Sequence, residues 1–189
     1  MPSRREQLLD AAITVLGSQG IRQLTHRAVD AAAGLPAGSA SNYFKSRDAL
    51  VDAIIERFAE RERASWEALA GMVTPRTAEE LSGVLAAYVR RAVGADRVVT
   101  IARYGVFIES ALRPGSRAQL TESAREIRRW GAEWLRSIGA PDPALACELL
   151  LDQMDGLILH NLAYPDLVVD LEARLTAAVR GVFDVCGAD

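Results

Sequence analysis

Residues 34–47 read GLPAGSASNYFKSR. In a chain that is 50% hydrophobic, this helix-length stretch is nearly bare of bulky apolar side chains until Tyr43 and Phe44. Taken alone, the composition suits a flexible loop as well as a helix. The flanks favour a helix. Upstream, Thr25 is placed to accept from a free backbone N–H at the start of a short helix, which carries Ala28, Val29, Ala32 and Ala33 inward and stops at Gly34. Downstream, Ser46 caps a long helix with Asp48 in its first turn, where a negative charge suits the helix dipole. A helix of roughly 37–44 between two capped helices, with so little to bury, must lie against something other than protein.

An earlier helix over about 4–18 presents Leu8, Leu9, Ala12, Val15 and Leu16 on one face and ends at Gly20. Three short helices with a glycine-containing turn between the second and third make a helix-turn-helix, whose third helix enters the major groove of DNA. Such a helix needs small residues so that its axis can approach the bases, and Ala37, Gly38, Ser39, Ala40 and Ser41 provide them. It also needs hydrogen-bonding tips, supplied by Ser39, Ser41 and Asn42. Phe44 is the expected core anchor, and the Tyr43 hydroxyl is long enough to reach a phosphate.

The rest of the chain reads as helix, with prolines at the breaks and no alternating β-branched run. The fourth helix extends to about 69. A Thr77/Glu80 capping box opens a fifth, to about 93, and a sixth covers about 96–112. The seventh, about 117–138, carries Trp130 and Trp134 on one face. Asp142 and Pro143 start an eighth, about 143–163, that is apolar nearly all round and so must be buried on more than one side. A ninth spans about 166–186. The expected class is therefore all-α with about nine helices. Residues 1–46 are expected to form a DNA-binding helix-turn-helix domain, and residues 47–189 a larger helical domain.

The net charge of −3 argues against a generic polyanion binder, but its distribution is uneven. The first fifty residues hold six cations against four anions; the remainder holds sixteen against twenty-one. No apolar run reaches the ~20 residues of a membrane helix, and MPSRREQ has no signal-like segment behind it, so a cytoplasmic protein with no membrane partner is expected. Cys147 and Cys186 sit in no C-x-x-C pair and far from His26 and His160, so buried free thiols are expected, with redox sensing as the alternative. No nucleophile–base set, metal-spaced cluster or phosphate loop stands out, so neither an enzyme, a cofactor nor a metal is expected.

Residues 4–51, RREQLLDAAITVLGSQGIRQLTHRAVDAAAGLPAGSASNYFKSRDALV, resemble the DNA-binding domain of the TetR family of transcriptional regulators. The resemblance rests on LLDAA with the following glycine, LT before the second helix, AAGL, and NYFKSRDAL. It departs at three positions: Pro36 stands where the family usually caps the third helix with Ser, Ser41 where Tyr is common, and Asp30 where a small Ala is usual. Asp30 then either accepts from the start of the third helix or faces solvent.

The resemblance implies a homodimer, formed through the last two helices, on a near-palindromic double-stranded DNA operator, and release by a small-molecule effector: a ligand-responsive regulator, most simply a repressor. It implies phosphate contacts from Thr25, Arg27, Tyr43 and Lys45, and base contacts from Ser39, Ser41 and Asn42, with Ala37 and Gly38 allowing close approach. Arg4 and Arg5 reach the backbone or a minor groove, or remain a solvated tail; His26 reads DNA or stays on the helix surface. It also implies an effector pocket among helices four to eight, with Trp66, Tyr88, Tyr104, Phe107, Trp130, Trp134, Met154 and Asp155 as candidates against the simpler reading of core. Asp152 and Asp155 share a face of the apolar eighth helix, so burial there predicts a partner such as Arg91, Arg103 or Arg128. Gly156 permits a close helix crossing, and Leu167, Val168, Leu171, Leu175, Val179 and Val182 form the stripe of helix nine. The alternatives are an all-helical small-molecule-binding protein with a vestigial helix-turn-helix, or a thiol-based redox regulator.

Overall fold

The computed structural model describes residues 3–113, 115, 117–167 and 170–185. Its long elements are α1 (Arg4–Gln19), α2 (His26–Ala33), α3 (Ser39–Tyr43), α4 (Arg47–Met72), α5 (Ala78–Val93), α6 (Arg97–Leu112), α7 (Arg117–Ser137), α8 (Pro143–Ala163) and α9 (Leu171–Val185), with short 3-10 turns at Ile21–Gln23 and Pro165–Leu167. No strand occurs among the described residues, and no helix there is long and apolar enough to cross a membrane.

Most helix ends follow local chemistry. Ser3 and Glu6 form a capping box on α1, Thr25 accepts from Ala28 N at 3.2 Å, Ser46 from Ala49 N at 3.0 Å, and Asp142 from Leu145 N at 3.1 Å. Gly34 ends α2 in the left-handed region, φ 64°. At α5 the box is displaced by one residue: Thr77 accepts from Glu80 N, but the Glu80 carboxylate accepts from Arg76 N at 2.7 Å. Helix nine departs further from expectation. Leu167 lies in the 3-10 turn and is exposed, Val168 lies outside the described residues, and α9 starts only at Leu171, where Asp170 accepts from Ala173 N at 3.0 Å.

The chain divides into two compact units, Met1–Ala64 with Arg97–Ser123 and Ser65–Asp96 with Ala124–Asp189. In the first, α1 packs on α2 and α6. Leu8, Ile13, Val29, Ala40, Phe44, Leu50, Ile54 and Val106 are among its buried core. Gly17 is essential to the α1–α6 crossing, because a Cβ there would overlap the Val98 carbonyl oxygen. Arg57 ties α4 to α1 by a two-pronged pair, Nε to Asp10 Oδ1 at 3.0 Å and Nη2 to Asp10 Oδ2 at 3.2 Å. In the second unit, α5, α8 and α9 pack together. Leu175, Val179 and Val182 of the α9 stripe are buried there as ordinary intrachain core, alongside Leu150, Met154, Leu157 and Ile158 of α8.

Candidate nucleic-acid interface and apolar cavity

The start of α3 is set by a side chain eight residues upstream. Gly38 takes φ 92°, a left-handed conformation that L side chains rarely adopt, and offers no side-chain cap. The cap comes from Asp30 on α2. Its Oδ2 accepts from Gly38 N at 2.8 Å and its Oδ1 from Ala40 N at 2.6 Å, with the residue only 3% exposed. A buried carboxylate thus satisfies two N–H groups that the helix start leaves open. Of the two roles open for Asp30 in the sequence, this is the first. It also explains how α3 tolerates Pro36 where a capping hydroxyl is usual.

The other end of α3 is held as firmly. Phe44 is buried, and its carbonyl oxygen lies 2.7 Å from His26 Nε2. A carbonyl only accepts, so Nε2 carries the proton in this bond. His26 is thereby half-buried and joins the first turn of α2 to the exit of α3. The Arg5 guanidinium sits 5.8 Å from the Phe44 ring centroid, and Arg47 Nη2 donates to Ile21 O at 3.0 Å. Sequence reasoning missed these tethers, because a side chain bonded to a distant carbonyl leaves no local pattern.

With Ala40 and Phe44 turned inward, α3 and its flanks expose Ala37, Gly38, Ser41, Asn42, Tyr43 and Lys45. Arg4, Arg5, Thr25 and Arg27 are exposed as well, while Ser39 is half-buried. Two hydroxyls are already engaged: Ser39 donates to Pro36 O at 2.6 Å and Ser41 to Gly38 O at 2.9 Å. Both retain acceptor capacity toward a base donor.

The second unit holds an apolar cavity, part of it open to solvent. Its walls include Trp66, Trp130, Trp134 and Met154, all singled out in the sequence. Trp130 and Trp134 stack at 5.6 Å and 15°, and Trp66 meets Trp130 edge-on at 6.2 Å and 75°. Tyr88 backs Trp66 in a 4.8 Å stack. Leu81, Leu85, Leu150 and Leu151 add aliphatic surface. Gly131 and Cys147 meet at the wall so closely that a Cβ on Gly131 would stand 2.6 Å from the Cys147 Sγ. Burial pushes the Cys147 thiol up to about 11, against a smaller opposing pull from Arg128. Cys186 lies outside the described residues.

The remaining ligand candidates are placed elsewhere. Tyr104 and Phe107 lie on α6 in the first unit, edge-to-face at 6.2 Å, with Arg103 over Phe107 at 4.4 Å. Asp155 is half-buried beside Met154 and is not among the described lining residues. The expected burial of Asp152 does not occur. It is exposed, because α8 turns only one side into its unit, so the desolvation argument for a buried partner does not apply to it. Among the arginines named for that role, Arg91 pairs with Asp96 at 2.5 Å and Arg103 with Glu62 at 2.7 Å.

The family model described as "Tetracyclin repressor-like, C-terminal domain" matches residues 76–185, more than half of the chain, and "Bacterial regulatory proteins, tetR family" matches residues 8–54. The chain belongs to the TetR family of transcriptional regulators. Among TetR-family relatives, the HTH-type transcriptional regulator BetI of Rhizobium meliloti (strain 1021) is 29% identical over 180 residues, covering 93% of this chain and 86% of the relative. The HTH-type transcriptional repressor KstR2 of Rhodococcus jostii (strain RHA1) is 40% identical over 55 residues, 29% of this chain and 27% of that one. Among solved structures, the multidrug binding protein EbrR complexed with ethidium superposes with TM-score 0.69 at 26% identity, over 96% of this chain and 98% of that one. A TetR-family member from Streptomyces coelicolor A3 shares the fold, with TM-score 0.68 at 24% identity over 96% and 98%.

Membership in the TetR family makes this a DNA-binding helix-turn-helix regulator, and gives the exposed side of α3 its context. One more surface stands out on this TetR-family fold. Along α8, Leu145, Leu149 and Leu159 are 42%, 38% and 48% exposed, on the side opposite the buried Leu150, Met154 and Leu157. Asp152 and Gly156 lie along the same line at spacings of three and four residues, and a Cβ on Gly156 would meet nothing within 4 Å.

Proposed function

We propose that this protein is a repressor that binds a near-palindromic operator as a homodimer and is released by a small-molecule effector. Residues 1–46 serve as the DNA-binding domain and residues 47–189 as the ligand-binding and dimerisation domain. The observation that carries the DNA half is the clamping of α3 at both ends, by Asp30 at its start and His26 at its exit. A helix fixed in this way presents Asn42, Tyr43 and Lys45 to a groove without having to order itself on binding.

In this reading Ser39, Ser41 and Asn42 meet base edges, and Ala37 and Gly38 let the axis come close. Thr25, Arg27, Tyr43 and Lys45 hold phosphates, and Arg4 and Arg5 extend the basic rim. His26 acts by positioning α3. The α8 stripe around Gly156, with the outer side of α9, pairs with a second copy of the chain. One recognition helix reads only a half-site, and two-fold pairing supplies the other. The tryptophan-walled cavity holds the effector, a reading supported by EbrR, a relative in this fold named as multidrug binding and solved with ethidium. An effector that favours one of two dimer geometries shifts the population away from DNA.

The deciding experiment incubates purified protein with fragmented genomic DNA of the source and sequences what is retained. Enrichment of one or a few sites with inverted symmetry supports the reading. Uniform retention, or none, refutes it.

A further inference from the structure

The cavity walls restrict what the effector is made of. Among the described lining residues none carries a charge. The polar side-chain groups of those residues are the indole N–H donors, the Cys147 thiol and the Met154 thioether. Indole N–H only donates, and sulfur accepts weakly, so a ligand rich in N–H or O–H donors would lose bonds to water and regain few. An anion would find no cation among those residues. EbrR was solved with ethidium, a permanent cation, so this fold does not by itself exclude a charge. Here the described walls offer a cation aromatic faces and no carboxylate, and cation–π attraction is worth about 0.5–2 kcal/mol, less than dehydrating an unpaired charge costs. The stacked Trp130–Trp134 pair makes a flat wall suited to another ring system.

Taking the cavity as the effector site, we propose that its ligand is an uncharged, planar, apolar molecule, an aromatic or fused-ring compound packed on the Trp130–Trp134 wall, and that permanently cationic compounds of the same shape are rejected.

The chain has three tryptophans and all of them line this cavity, so intrinsic fluorescence reports on it. The test compares 1-methylnaphthalene with 1-methylquinolinium, two fused bicyclic probes of one shape that differ by a positive charge. Binding to the full chain is measured by equilibrium dialysis, with tryptophan emission as the local readout. The neutral probe is expected to bind about tenfold tighter or better, to shift the emission, and to lose its binding in Met154→Trp, which fills the cavity. Leu151→Phe, at a half-buried wall position, serves the same end if Met154→Trp does not fold by circular dichroism. Equal or tighter binding of the quinolinium, still abolished by the filling substitution, overturns the proposal about charge and leaves the effector cavity standing. Absence of binding by either probe, or naphthalene binding untouched by the filling substitution, overturns both.

Discussion

Asp30 illustrates how much one side chain decides. With both carboxylate oxygens bonded to backbone N–H groups at the start of α3, its removal leaves two inner donors unsatisfied. Asp30→Ala is expected to cost about 2–3 kcal/mol in urea unfolding, and to weaken operator binding further because α3 loses its fixed start. Asp30→Asn, which keeps one acceptor, should lose less of both. Cys147 gives a pH signature. Its thiol is held neutral by burial up to about 11, above its ordinary value of 9.0, so the contribution is intact below pH 9 and is lost as pH rises toward 11. Between those limits the wild type should lose about 2–3 kcal/mol more stability than Cys147→Ala, measured by paired denaturant titrations. A Cys147→Ala protein with the same alkaline slope would refute the assignment. The same shift makes the thiolate scarce at neutral pH, which disfavours Cys147 as a redox sensor.

Among the elements, α8 was legible in its cap and its apolar character, and less so in what its two sides do. The sequence says that it must be buried on more than one side. Only the packed chain separates Leu150, Met154 and Leu157, which face their own unit, from Leu145, Leu149 and Leu159, which do not. Gly156→Ala offers a clean separation of effects. Within one chain the added methyl meets nothing and replaces a poor helix former, so the monomer should gain up to about 1 kcal/mol. If α8 crosses a second copy closely, that methyl weakens the dimer. Sedimentation equilibrium should show weaker self-association, with an unchanged or raised melting temperature at concentrations too low for pairing. Leu149→Glu should abolish pairing outright, and an unaltered dimer in both variants removes α8 from the interface. The start of α9 was misplaced because Pro165 and the apolar Leu167 read as a helix opening. Asp170, in a left-handed conformation, instead caps the helix at Leu171.

For the whole molecule the expectation concerns salt. If Lys45 neutralises a phosphate, affinity falls with salt at a slope near −0.9 per contact, and Lys45→Ala reduces that slope by about one unit on operator and random DNA alike. Asn42→Ala should leave the slope unchanged and narrow the gap between operator and random DNA by about 1–3 kcal/mol. Filter-binding titrations at several salt concentrations separate the two. A gap that survives Asn42→Ala withdraws Asn42 as a base reader.

Read alone, the sequence determined the helical class, the positions of most helices and the presence of a helix-turn-helix. These follow from caps, glycine stops and apolar spacing, which act over one or two turns and are written locally. It also picked out Trp66, Trp130, Trp134 and Met154 as a group, since large apolar side chains at helical spacing must meet something. It did not separate them from Tyr104 and Phe107, which α6 carries into the other compact unit. Which of two roles Asp30 plays, why Gly17 must be bare, and which side of α8 is left exposed were decided only by tertiary structure. Each depends on how closely elements distant in the chain approach one another, and that distance is set by the packing of the whole unit rather than by any one segment.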